Sequence, residues 1–286
     1  LSIGKTGNIT VELPKGVDMD SKHQVTVIVT DPQKVPQKNI NVIVKNDLGD
    51  KATGKTDKNG EVTVPEVEKT EHHSAYVVGY TDGTFGPERN MTRSEAAAIF
   101  ARLLADKNGD NISPVAKTKF SDVPAYAWYS GYVKYLNNNG VTYGNSKTNF
   151  APDKQITRAE FTTLAVRFFD AYGDGDAEIM EQFKSFDDVS DGYWAAEYIK
   201  AAAKHGWITG YGDGSFRADR QITRAEVVTI VNRLLGRAAD LEYVSDNLRK
   251  LNTFPDVSRR YWAYSDILEA ANAHNAILGT EESWYK

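Results

Sequence analysis

A six-residue phrase returns three times in this chain: "NMTRSE" at Asn90–Glu95, then "QITRAE" at Gln155–Glu160 and again at Gln221–Glu226. The three threonines lie 65 and then 66 residues apart. A second phrase keeps step with the first: "FSDVPAYAW" from Phe120, "FDDVSDGYW" from Phe186 and "FPDVSRRYW" from Phe254. A fixed period of this length means one supersecondary unit used repeatedly, each copy burying its apolar face against its neighbours.

The phrases carry local structure. Threonine followed three residues later by glutamate, before an apolar run, is a capping box that opens a helix. Thr92, Thr157 and Thr223 are the expected N-caps, with Glu95, Glu160 and Glu226 reaching back to them. The runs that follow, such as "AAAIFARLL" and "VVTIVNRLL", have apolar residues at helical spacing. Each tryptophan of the second phrase opens another helical stretch. Between the two helices lies a turn segment, "VVGYTDGTFGPERN" in one copy and "ITGYGDGSFRADRQ" in another.

Arg93, Arg158 and Arg224 do not follow from capping. At the first helical position a cation opposes the macrodipole, at a cost of about 0.3–1 kcal/mol. Arg102, Arg167 and Arg233, near the helix ends, are ordinary by the same rule. The three at the starts are expected to meet either a carboxylate of the protein or an external anion, and both readings stay open.

The chain enters the array with only a second half-unit, Gly79–Leu104, and leaves with only a first half, Phe254–Ala273. Two complete units lie between, Phe120–Phe169 and Phe186–Leu235. An open array leaves apolar ends uncovered, so the two half-units are expected to pack together and close a ring of three. Loss of Phe254–Lys286 would then bare Ile99, Phe100 and Leu103.

Upstream of the array, "NITVEL", "HQVTVIVT" and "NINVIVKN" alternate as strands, broken by "NDLGD" and by "DKNG" at Asp57–Gly60, a hairpin-type turn. Five or so strands without a helix suggest a small immunoglobulin-like sandwich serving as a spacer. The expected organisation is a β domain over 1–69 and the repeat array over 70–286. The array divides into a half repeat 70–105, repeats 120–170 and 186–236, and a closing half repeat 254–286.

The 286 residues carry a net charge of −5 and no basic stripe, which argues against nucleic acid. No apolar run is long enough to span a bilayer, and the absence of cysteine excludes disulfides and thiolate metal sites. The chain lacks an initiating methionine and a secretory signal, so it reads as a piece of something larger. His23, His72, His73, His205 and His274 form no metal-ligand or triad pattern in sequence. No cofactor and no catalytic residue is expected.

Phe-x-Asp-Val…Trp, Gly-Tyr-x-Asp-Gly-x-Phe and Ile-Thr-Arg-Ala-Glu at fixed spacing resemble the S-layer homology (SLH) family over about 215 residues from Glu71. The resemblance implies an α+β multidomain chain, the all-β sandwich followed by a mainly α pseudo-threefold prism. It also implies a monomer at the bacterial surface, held noncovalently on a Gram-positive cell wall. The implied partner is a secondary cell-wall polysaccharide, often bearing pyruvyl ketals, bound in grooves between repeats. Arg93, Arg158 and Arg224 match the family's ligand arginine, and a guanidinium binds the carboxylate of a pyruvyl ketal bidentately. Backbone N–H groups at the helix starts would add to that anion site.

Trp128, Trp194 and Trp262 match its tryptophan, available for stacking on a sugar or for packing. Asp122, Asp188 and Asp256 are expected to cap the tryptophan helices, orient an arginine or touch the sugar. Gly79, Gly144 and Gly210 leave room for a ligand or serve a turn. The middle loop, "YGNSKTNFAPDKQ", lacks the Asp-Gly, and "NAILGTEESWYK" at the end departs from the family pattern, so the grooves of Arg158 and Arg224 carry the expectation more than that of Arg93. Two rival functions are a cell-wall glycan hydrolase and a calcium-dependent surface adhesin. The second rests on "DKNGD" at Asp106–Asp110 and "DGD" at Asp174–Asp176, acidic segments without a complete calcium loop.

Overall fold

The computed structural model describes residues 2–3, 8–12, 25–45, 51–64, 69–173, 185–278 and 283–285. The chain forms two compact units, Leu1–His72 with Asn275–Lys286, and His73–His274. With both helices and strands it is an α+β protein. Residues 275–286 therefore group with the β unit, whereas the repeat phase had assigned them to the closing half repeat. The "NDLGD" turn and the acidic Asp174–Asp176 segment lie outside the described residues.

In the first unit, β1 (Ser2–Ile3), β2 (Asn8–Glu12), β4 (Asn41–Lys45) and β5 (Lys51–Lys55) form one sheet in the order β1-β2-β4-β5. Strands β3 (Val25–Ile28) and β6 (Glu61–Val64) form a second sheet, paired antiparallel. The alternation of β4 buries Val42 and Val44, which share a core with Ile9, Val29, Ala52 and Val62. Two features depart from the sequence reading. Strands β2 and β4 run parallel, and Asp57–Gly60 does not close a hairpin, because β5 and β6 belong to different sheets. The turn is nonetheless tightly built. Asp57 Oδ1 accepts from the Asn59 and Glu61 N–H groups, and Gly60 takes φ +71° against the Val29 carbonyl. A third sheet has the order β7 (Lys69–His73), β8 (His274–Leu278), β9 (Ser283–Tyr285).

In the second unit, α1 (Arg93–Asn108), α3 (Arg158–Tyr172) and α5 (Arg224–Leu235) begin at the repeated phrase. All three capping boxes are formed, and each helix ends at a left-handed glycine, Gly109, Gly173 or Gly236. These helices are buried around most of their circumference. By contrast α2 (Ser130–Asn138) and α4 (Ala196–Lys204) bury one face, and α7 (Tyr264–Ala271) is buried all round over its last five residues, Ile267–Ala271. The latter three have no side-chain N-cap bond, so Asp122, Asp188 and Asp256 do not cap them. A further helix, α6 (Leu241–Asn247), capped by Asp240, occupies a segment that the repeat pattern leaves blank.

The residues just before the three caps bond to one another in a cycle. Ile156 N–H donates to the Met91 carbonyl (2.9 Å), Ile222 to Ile156 (3.1 Å) and Met91 to Ile222 (3.0 Å). All three side chains are fully buried. Where the other copies have Gln155 and Gln221, the first has Asn90, whose amide donates to both glutamines. Phe100 packs on Phe161 and Phe168, joining α1 to α3.

The outer helices pair as α1 with α2, α3 with α4 and α5 with α7. Helix α7 thus covers α5, and the apolar surface it protects is there rather than around Ile99, Phe100 and Leu103. The two ends of the unit meet elsewhere too. The Tyr76 and Val77 N–H groups donate to the Ala270 carbonyl, and Phe254 lies 5.3 Å from the Phe85 ring.

Gly79 is the tightest point of that seam: a Cβ there would lie 2.6 Å from Phe254 Cε1 and 2.9 Å from the Thr84 carbonyl oxygen. Gly79→Ala should therefore cost about 1–3 kcal/mol of unfolding free energy. The cost should shrink in a Phe254→Leu background. Denaturant unfolding of the four chains of this cycle measures the coupling; strictly additive effects would contradict a packed seam.

Candidate functional site

The loop before each capped helix is positioned by an aspartate. Asp122 accepts from Phe150 and Ala151 N–H, Asp188 from Phe216 and Arg217, and Asp256 from Phe85 and Gly86, all between 2.6 and 2.9 Å. The second residue of each pair is left-handed, at φ +66° for Gly86, +57° for Ala151 and +58° for Arg217. Alanine and arginine are strained there, and a carboxylate that accepts from each of them and from the preceding phenylalanine holds them.

The phenylalanine carbonyl of the same loop then receives the arginine of another repeat. Nε of Arg93 donates to Phe150 (2.8 Å), of Arg158 to Phe216 (2.9 Å) and of Arg224 to Phe85 (2.9 Å). All three arginines are only 5–7% exposed. Each guanidinium also lies over at least one aromatic ring, Arg158 over Tyr211 and Phe216 at 4.9 and 4.7 Å, for example.

The aspartates thus orient the arginines through the loop backbone, and no arginine pairs with them directly. The carboxylate that meets an arginine is the capping glutamate of the following repeat. Glu160 and Glu226 use Oε2 for the cap and Oε1 for the cation: Arg158 lies 3.1 Å from Glu226, and Arg93 3.8 Å from Glu160. Lys154 (2.9 Å) reinforces Glu160, and Arg220 and the Tyr211 hydroxyl (2.7 Å each) reinforce Glu226.

Burial lowers the pKa of all three arginines. Burial pushes Glu160 and Glu226 up, but the cap N–H and neighbouring donors and cations outweigh it, leaving both below the usual carboxylate range. Arg224 instead donates a second bond to the Val78 carbonyl (3.0 Å).

Two cavities of about 280 Å³ open beside these arginines. One is lined by Arg93, Gly144, Glu160, Arg167 and Trp194, the other by Arg158, Gly210, Glu226, Arg233 and Trp262. Corresponding residues differ by one repeat, so each groove draws on three successive copies of the motif. Their walls are cationic although the chain is acidic as a whole. Trp128, Trp194 and Trp262 are 55–58% exposed, which removes the core-packing reading. Arg167 and Arg233, which helix-end electrostatics had accounted for, prove to line the grooves; their equal spacing from the buried arginines was the signal.

Other expected roles change. The N–H groups at the helix starts are not available to an anion. Arg93 and Ser94 donate to the Lys154 and Pro152 carbonyls, Arg158 and Ala159 to Arg220 and Ala218, and Arg224 and Ala225 to Arg89 and Pro87. A Cβ at Gly144 or Gly210 would lie 2.3 or 2.5 Å from the ring of Phe120 or Phe186, so these glycines, like Gly79, admit the phenylalanine of the second phrase. Asp106–Asp110 is the capped end of α1, with Asp110 bound by the Tyr135 hydroxyl at 2.6 Å. His205 stacks on Trp207 at 4.6 Å. His73 and His274, far apart in sequence, lie beside Glu269.

Residues 66–97, 119–162 and 185–228 match the model of the S-layer homology domain. Cell surface glycoprotein 1 of Acetivibrio thermocellus is 37% identical over 216 residues, covering 73% of this chain and 9% of the relative. The cellulosome-anchoring protein of the same organism is 36% identical over 226 residues, covering 77% and 47%. The surface-layer 125 kDa protein of Lysinibacillus sphaericus is 32% identical over 163 residues, covering 56% and 13%. The chain thus spans less than half the length of each of these relatives.

The depressed pKa values of Glu160 and Glu226 fix the direction of acid sensitivity. Their contribution to stability is complete above the unfolded carboxylate value of about 4.3 and is lost as pH falls through the lower folded values. The melting temperature should therefore fall below about pH 4.3. Glu226→Gln should melt lower at neutral pH and show a shallower acid dependence; parallel melting curves would remove Glu226 from the account.

Proposed function

We propose that this chain, which carries three S-layer homology repeats, holds a protein noncovalently on the bacterial cell surface by binding an anionic cell-wall polysaccharide in the grooves between repeats. A cell-surface location follows from the repeats and from surface and anchoring relatives. The observation that carries the polysaccharide reading is the pair of equivalent cavities, each joining a buried arginine, a second arginine and an exposed tryptophan. Indole faces stack on sugar rings, and guanidinium groups bind carboxylates. A sugar bearing a pyruvyl ketal supplies both surfaces at once.

In this reading the grooves are unequal. Arg93 holds its glutamate loosely at 3.8 Å, whereas Arg158 is engaged at 3.1 Å and Arg224 donates to Val78. The groove of Arg93 therefore offers the most available guanidinium, which reverses the order suggested by loop similarity. The β unit serves as an immunoglobulin-like spacer, and the chain acts as a monomer.

Tryptophan substitutions separate binding from folding. Trp194→Ala and Trp262→Ala should leave the melting temperature unchanged and weaken cosedimentation with polymer-bearing walls by about 1–2 kcal/mol each, roughly tenfold. Walls stripped of their secondary polymer should bind neither variant nor parent. Arg93→Ala, by contrast, orphans the Phe150 carbonyl and should lower both stability and binding, with Arg93→Lys restoring only part of the binding. Undiminished binding by the double tryptophan variant would remove the grooves from the interaction. Release of reducing sugar from walls would favour a hydrolase instead.

A further inference from the structure

Glu269 stands on the last turn of α7, 1% exposed, and neither of its carboxylate oxygens meets a hydrogen-bond donor. A buried carboxylate is held by partners or by a cation, since its desolvation is otherwise uncompensated. Its oxygens face two imidazoles: Oε1 lies 3.6 Å from His73 Nδ1, and Oε2 lies 3.5 Å from His274 Nε2. One donor atom from each of the three residues lies within 4.8 Å of the other two. The two rings stand nearly perpendicular, 79° apart, with centroids 5.0 Å apart.

The tautomer of His274 narrows what can sit between these groups. His274 Nδ1 is 3.0 Å from the Asn272 carbonyl oxygen. A carbonyl only accepts, so Nδ1 carries a proton, and a neutral ring then presents the lone pair of Nε2 to the carboxylate. Two lone pairs facing one another need a cation between them, either a proton or a metal ion. A proton would draw the pair to about 2.7–2.9 Å, the length of a charge-assisted hydrogen bond. The observed 3.5 and 3.6 Å match instead the edge of a tetrahedron with bonds of about 2.0–2.2 Å. A backbone carbonyl on the far nitrogen of a ligating histidine is also the usual means of fixing its orientation.

We infer that His73, Glu269 and His274 form a binding site for one divalent transition-metal ion, zinc by the chemistry of the donors. Two imidazole nitrogens and a carboxylate straddling both suit zinc, which accepts nitrogen and oxygen ligands without a demand on geometry. His73 precedes His274 by 201 positions, so the ion ties the first residue of the repeat unit to its last. The histidines gave no metal pattern in sequence because ring closure, not spacing, brings them together.

Untagged protein, stripped with a chelator and dialysed, is titrated with zinc chloride by calorimetry and by thermal melting. One zinc ion should bind per chain, with a melting temperature several degrees higher that EDTA reverses. Cobalt(II) at the same site should give the visible absorption of a four-coordinate ion. His73→Ala and Glu269→Gln should each weaken zinc binding at least tenfold, whereas His72→Ala, on an exposed neighbour, should bind as the parent does. A parent chain that takes up no zinc at about 100 µM and melts identically with metal and with chelator overturns the site. Zinc uptake lost in His72→Ala and kept in His73→Ala overturns it equally.

Discussion

Everything in the repeat unit depends on the cycle in which Met91, Ile156 and Ile222 exchange backbone hydrogen bonds. A cycle of three cannot be completed by two members, so no copy of the motif has its native surroundings without both others. Buried N–H and C=O groups require partners, and here each copy supplies the partner for the next. The helix starts are secured in the same manner: their first two N–H groups donate to loop carbonyls one repeat away, and the third to the capping threonine. The opposing macrodipole charge of Arg93, Arg158 and Arg224 is met by a loop carbonyl of the adjoining copy, joined by that copy's glutamate for Arg93 and Arg158 and by the Val78 carbonyl for Arg224.

What could be read from the sequence was whatever depends on neighbours a few residues away. The capping boxes of Thr92, Thr157 and Thr223, the β4 alternation and the three core helices follow from local spacing, and each is present. The roles of Asp122, Gly144 and Arg158 depend on residues 24 to 68 positions along the chain, and there sequence offered only residue types. The aspartates were open to three readings because a carboxylate can cap, pair or bind; the left-handed residue beside each bond shows that it braces a strained turn. In the β unit, strong strand-forming runs left pairing undetermined, since alternation names the buried face but neither the partner nor its direction. The parallel β2–β4 pair and the passage of β5 and β6 into separate sheets are the result.

The departures from threefold identity are as informative as the repeats. Asn90 is shorter than Gln155 and Gln221, and it alone donates to both. All three loops close on a backbone carbonyl, that of Thr84, Asn149 or Ser215, and the first and third add an aspartate, Asp82 or Asp213, that accepts from the Thr84 or Ser215 N–H. Glu226 gathers Arg158, Arg220 and Tyr211, whereas Glu160 has Lys154 close and Arg93 distant. One motif therefore produces grooves of different charge and availability.

His73 and His274 bound a compact unit of some two hundred residues, yet their rings stand 5.0 Å apart. A mechanical load carried along the chain into His73 and out through His274 thus enters and leaves at one point. Tension does not run around the ring, and the repeats are not drawn open one after another as they would be in a solenoid pulled from opposite ends. The unit behaves under force as a pendant loop with its throat held shut.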